Sequence, residues 1–431
     1  MLQGSAARQT SQGRFCNQTR DGEETHTICG KAKRAHAVRI IAVNRGIACM
    51  AIAVLIASCA SPAPTPSPTV PATPQPTADL TAQIEAVIAS VPAVRELQPT
   101  RDVPFEFITR EQFQADVANL TNNVPADVRA AEERLYKRLG LLPADADMNA
   151  LEAQLYGSQV LAYYQPDDGH FYIIGPDESF NPTDKIVVAH EYTHALQDQH
   201  FDLKDNTITD PEQGDATLTS QLWASSNLGF GDMLQMLLDG FSQLDQSSLQ
   251  GIPLILRRQL EFPYTEGFAF VTALHDQGGY DAVNEALTTP PASTEQILHP
   301  EKYFAHEAPA PVPTHVRVGA VGDPLTLVYS QTLGELGIQV LALGSDALPT
   351  DIPGLPVDWP HADVAAGWGG DRLNMYEAPS GAWLVDWTTV WDTGADAISF
   401  RSRMDEISGT FTGSTDLQIT DQTVEVMVTS N

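Results

Sequence analysis

The sequence predicts an α+β fold built from unlike parts, and three observations carry this. Apolar residues recur at helical spacing through much of 79–160. A β-rich hairpin at 160–174 then leads into a capped helix at 185–200. From about residue 315 strand-like runs alternate with one helical segment. Four regions follow: an N-terminal extension with an export signal at 1–58, a linker at 59–80, a body at 81–315 and a C-terminal α+β lobe at 316–431.

The chain has 431 residues, with 24 Lys and Arg against 55 Asp and Glu, a formal charge of −31. An apolar content of 42% fits a globular chain, not a disordered one. The acidic balance disfavours nucleic acid as a partner, because phosphate binding needs clustered cations. All four cysteines, Cys16, Cys29, Cys49 and Cys59, lie in the first 59 residues. The body therefore has neither a disulfide nor a thiolate metal site.

Lys31, Lys33, Arg34, Arg39 and Arg45 precede the apolar run Gly46–Ser58. Its 13 residues are short for a bilayer span and fit a signal-peptide core. Residues 1–30 lack signal features, as if translation began downstream. The run closes on Ile56, Ala57, Ser58 and Cys59, which resembles the lipobox of bacterial lipoproteins. That resemblance implies cleavage before Cys59, diacylation of its thiol and anchoring to the outer face of the cytoplasmic membrane. Residues 61–77 alternate Pro with Thr, Ser and Ala, a polyproline spacer.

In the body, Thr81–Val91, Arg110–Leu120 and Val124–Leu142 show helical spacing, the last through Val128, Ala131, Leu135 and Leu139. Asp145–Asn149 imitates the start of a calcium loop. Ala150 replaces the loop glycine and Tyr156 the closing Glu, so it is set aside. Val160–Gln165 and His170–Ile174 are β-rich, and Pro166–Gly169 joins them as a hairpin turn. Asn181, Pro182, Thr183 and Asp184 start the helix that runs to His200.

That helix carries His190-Glu191-Tyr192-Thr193-His194. Residues four apart are about 40° apart around the axis and about 6 Å along it, so both imidazoles can reach one Zn²⁺. Glu191 stands beside them as a proton acceptor. The helix and hairpin together resemble the zincin metallopeptidases, and most closely the gluzincins, whose third ligand is a Glu on a later helix. Ala189–Leu203, Gly214–Thr217, Pro290–Tyr303 and Gly367–Arg372 are similar to an exported bacterial lipoprotein subgroup of these, over about residues 95–405. The resemblance implies a zincin-like catalytic domain with the His-Glu-x-x-His helix beside a sheet, a mostly helical second wall at 216–300, bound Zn²⁺, and hydrolysis of peptide or protein substrates.

The third ligand departs from the pattern. The gluzincin spacing falls on Gln213, where the subgroup is expected to have Glu. A neutral amide oxygen is a poorer Zn²⁺ ligand than a carboxylate. Asp215 and Glu212 are the alternatives, with Asp215 also able to orient an imidazole from behind. Glu266 is more remote. His200 has the spacing of a metzincin ligand, but an unbroken helix would carry it about 15 Å from His190. Tyr264, His299, Tyr303 and Arg372 could stabilise an oxyanion or hold substrate. Ser293 and Gln296 read as a capping box. Leu325–Tyr329, Trp383–Thr388 and Val424–Thr429 read as strands, Ala395–Met404 as helix and Gly367–Asp371 as loop.

Two functions are compatible with this: a lipid-anchored zinc peptidase with Glu191 as base, or a non-catalytic relative that keeps the fold to bind peptides or surface partners. Gln213 is the residue that favours the second.

Overall fold

A computed structural model describes residues 50–52, 77–121, 125–175, 180–203, 211–232, 236, 251–313, 315, 317–320, 322–344 and 359–430. Cys59, the expected polyproline spacer and most of the expected export signal lie outside these residues. Among the described residues no helix is long and apolar enough to cross a membrane. The protein is a mixed α+β structure with two sheets.

The first sheet is small. Val160–Gln165 (β3) and His170–Ile174 (β4) form the expected hairpin, and Phe105–Ile108 (β2) adds in parallel to β4. Met50–Ile52 (β1), from the apolar N-terminal run, is set antiparallel on the outer edge of β3. Pro182–Phe201 (α5) packs on this sheet, and Ala78–Arg95 (α1) packs against α5. Ile84, Val87, Val91, Phe107, Ala162, Phe171, Val188 and Leu196 form the core between them.

The start of α5 follows from its sequence. Asn181 accepts hydrogen bonds from the Thr183 and Asp184 amides, and the Asp184 carboxylate accepts one from the Asn181 amide. Pro182 opens the first turn, where its missing N–H costs nothing. The helix is unbroken through His200 and ends at Asp202 in a left-handed conformation, φ 54°.

Arg110–Thr121 (α2), Ala126–Arg138 (α3) and Met148–Gln159 (α4) complete the N-terminal helices. The acidic run before α4 is a helix cap: Asp147 accepts from the Ala150 amide at 3.1 Å. Pro211–Asn227 (α6) packs along both α5 and the long helix Leu254–Thr288 (α7). Gly278 and Gly279 leave helical geometry and kink α7. Thr294–Leu298 (α8) and Pro300–Phe304 (α9) follow as single turns. At α8, Ser293 accepts from the Gln296 amide, but the Gln296 side chain reaches back to the Ala292 amide, one residue earlier than a capping box requires.

The second sheet is antiparallel in the order β5-β6-β7-β9-β8, with Thr326–Gln331 (β5), Trp368–Glu377 (β6), Trp383–Trp391 (β7), Ser414–Thr420 (β8) and Thr423–Thr429 (β9). Gly334–Leu343 (α10), Ala362–Ala365 (α11) and Gly394–Ile407 (α12) pack with it. Leu135 of α3, Leu139 at its C-cap and Leu155 of α4 share its core with Trp368, Trp387, Trp391 and Phe400. The expected loop at Gly367–Asp371 is instead largely the start of β6. Its glycines serve close backbone approach: Ala310 N–H donates to the Gly369 carbonyl at 2.6 Å, and a Cβ on Gly370 would lie 2.7 Å from the Ala310 carbonyl.

Candidate metal centre

The two histidines of α5 converge. Their Nε2 atoms are 3.1 Å apart, and the rings meet edge to face. Gln213, on the first turn of α6, closes a triangle: its Oε1 is 3.2 Å from Nε2 of His190 and 3.2 Å from Nε2 of His194. All three side chains are buried. Burial, and then the neighbouring His194, push the His190 pKa well below 6.5. Burial likewise lowers His194. Both rings are therefore neutral near pH 7 and able to offer lone pairs.

Three donors at these separations suit a small cation. A tetrahedral ion with bonds of about 2.0–2.2 Å spaces its ligands roughly 3.3–3.6 Å apart, within a few tenths of an ångström of the triangle seen here. Two imidazoles and an amide oxygen are a chemically competent set for Zn²⁺, though a neutral one and so weaker than a set with a carboxylate.

Neither proposed carboxylate ligand occupies that third corner. Among the described residues, the group of acidic or histidine side chains close enough to share an ion is Glu295, Glu307 and Asp392, not the histidine pair with Asp215 or Glu212. Asp215 Oδ2 instead accepts from Arg95 Nε at 2.8 Å and from Gln197 Nε2 at 2.6 Å. The Glu212 backbone carbonyl accepts from the same Gln197 amide at 3.0 Å. The helical period explains both: Asp215, two residues beyond Gln213, turns about 200° away from it, and Glu212, one residue before, turns about 100° away. The acidic cluster already holds a cation, since Lys302 Nζ lies 2.6 Å from Glu295, 2.9 Å from Glu307 and 2.6 Å from Asp392.

Glu191 is fully buried, and its Oε2 accepts the Tyr164 backbone N–H of β3 at 2.8 Å. The carboxylate is thus fastened to the strand beside the histidine helix. Tyr264, on α7, stacks its ring on His190 with centroids 6.0 Å apart, so it borders the site. His299 bonds Glu335 at 3.0 Å, and the Tyr303 hydroxyl donates to the Thr289 carbonyl at 2.9 Å. Arg372 lies in β6 opposite Thr388. Glu266 is held by Arg258 at 2.5 Å. His200 is exposed at the helix end and donates to the Gln98 carbonyl at 2.8 Å, away from the pair.

Sequence reasoning missed Gln197 and Arg95. Gln197 stands three residues after His194, a spacing that places it on the same helix face and could have marked it. Arg95 is remote in sequence and carried no signal.

The site defines a buried His-His-Gln donor set on two crossing helices. Residues 325–429 match the model of a family described as "Domain of unknown function (DUF8575)". That stretch covers the second sheet and α10 to α12, apart from the histidine helix. Comparisons with curated proteins and with solved structures give no match.

Proposed function

We propose that the protein is a metal-dependent peptidase, with His190, His194 and Gln213 holding Zn²⁺ and Glu191 as general base. The observation that carries this reading is the triangle of Nε2, Nε2 and Oε1 with sides of 3.1, 3.2 and 3.2 Å. Bound there, the ion would polarise a carbonyl and make water more acidic. Glu191 takes the proton of the attacking water and returns it to the leaving amine. Its bond to the Tyr164 amide keeps the carboxylate oriented between these tasks. Tyr264 borders the site at the His190 face and can donate to developing negative charge. In the uncleaved chain, strand β3 carries Met50–Ile52 antiparallel on its edge, the way an extended peptide would lie once cleavage before Cys59 removes that segment. Cys59 places the enzyme on the outer face of the membrane through its lipid.

The second reading is a non-catalytic lipoprotein of the same fold that binds peptides or surface partners. Gln213 favours it, because an amide binds Zn²⁺ less tightly than the carboxylate it replaces. Peptide cleavage by the zinc-loaded full chain separates the two. Cleavage lost in Glu191→Ala, with zinc retained, supports the enzyme. Equal cleavage by both proteins, or none by either, removes it.

A further inference from the structure

We infer that Gln197 is a positioning residue that locks the His194 imidazole in one tautomer, with hydrogen on Nδ1 and a bare Nε2 facing His190 and Gln213. The functional sense of this rests on the metal-centre reading above; the tautomer itself does not.

Gln197, His194 and Asp215 have no solvent exposure, so every polar atom must be satisfied from within. The Gln197 amide nitrogen lies 3.0 Å from the Glu212 carbonyl and 2.6 Å from Asp215 Oδ2. A backbone carbonyl can only accept. Asp215 forms an ion pair with Arg95 at 2.8 Å, so its carboxylate also only accepts. A flipped Gln197 amide would set its oxygen against both acceptors with no hydrogen between them, which fixes its orientation. The amide oxygen must then be the atom 2.8 Å from His194 Nδ1, and it cannot donate. The hydrogen of that bond belongs to Nδ1, and the neutral ring presents a lone pair at Nε2.

The brace continues outward. Arg95 also donates to Asn284 at 2.6 Å and lies 4.4 Å over the Tyr280 ring. Thr219 adds a bond to Asp215 at 3.3 Å. Groups from α1, α6 and α7 thus converge on one amide that aims one imidazole. An amide suits the task better than a carboxylate in direct contact with the ring. It accepts the Nδ1 hydrogen without adding a charge that would favour the imidazolium form and occupy Nε2 with a proton.

The test is nitrogen NMR of the metal-free full chain labelled with ¹⁵N-histidine, with His194 assigned through His194→Asn. The wild type should show a protonated Nδ1 and an unprotonated Nε2 at His194. Gln197→Met, of similar volume and without the acceptor, should lose that signature and weaken Zn²⁺ binding by about 10–100-fold. A wild-type His194 protonated at Nε2, or an unchanged signature in Gln197→Met, would overturn the inference. If Gln197→Met does not fold, the wild-type spectrum alone decides. A protonated Nδ1 in a chain that takes up no zinc would support this assignment while removing the peptidase reading.

Discussion

Gly214 and Gly267 meet backbone to backbone: a Cβ built on Gly214 would lie 2.3 Å from the Gly267 carbonyl oxygen. This contact sets how closely α6 and α7 cross. It also sets the site, because Gln213 precedes one glycine and Tyr264 lies one turn before the other. Gly214→Ala must separate the helices, and overpacking of this kind costs about 1–3 kcal/mol. The urea midpoint should fall, and zinc affinity should fall with it.

Gln213→Glu should strengthen zinc binding by about tenfold or more, since it adds a charged oxygen at the third corner of an otherwise neutral set. Gln213→Leu should weaken it. Competition against a chromophoric chelator measures both. Equal affinity in all three proteins would take Gln213 out of the site.

Glu132 provides a pH test away from the site. It is 2% exposed on α3, and burial, then Glu152, push its pKa to about 7, against the opposing pull of Arg129 and bonds to Tyr136 and Tyr329. A folded carboxyl that holds its proton above the ordinary 4.5 favours the fold fully below that value, and the benefit is lost as pH rises towards 7. Glu132→Gln should therefore stabilise the protein at pH 8, on the order of 3 kcal/mol, and by little at pH 4. Denaturation midpoints at the two pH values check this.

Asp371 anchors the second sheet. Its carboxylate accepts from the Leu333 and Gly334 amides, both at 2.9 Å, and from the indole nitrogens of Trp368 and Trp387, both at 3.0 Å. Asn offers one acceptor oxygen in place of two and turns an N–H towards existing donors. Asp371→Asn should cost about 2–4 kcal/mol, since each buried donor left without a partner costs about 1–3. Tryptophan fluorescence during denaturation follows it directly.

Local signals were legible in the sequence and long-range ones were not. The hairpin at 160–174 and the Asn181 cap depend on neighbours, so turn and capping chemistry reveal them. His190 and His194 are one turn apart and were read the same way. The gluzincin spacing falls on Gln213, yet residue chemistry favoured Asp215 or Glu212 as the third ligand; only the α5–α6 packing puts the Gln213 amide beside both imidazoles. Asp215 is pulled away by Arg95, 120 residues distant, a pairing no local pattern encodes. Gly369 and Gly370 read as loop because glycine is ambiguous: in β6 they admit the strand's neighbour at Ala310, a contact visible only in the folded chain.

The most direct measurement is zinc per chain in the purified full-length protein after dialysis against metal-free buffer. About one zinc per wild-type chain is expected, with loss of it in His190→Ala and His194→Ala proteins that remain folded. Wild type with less than about half a zinc per chain, or the same zinc content in wild type and both variants, would contradict that expectation.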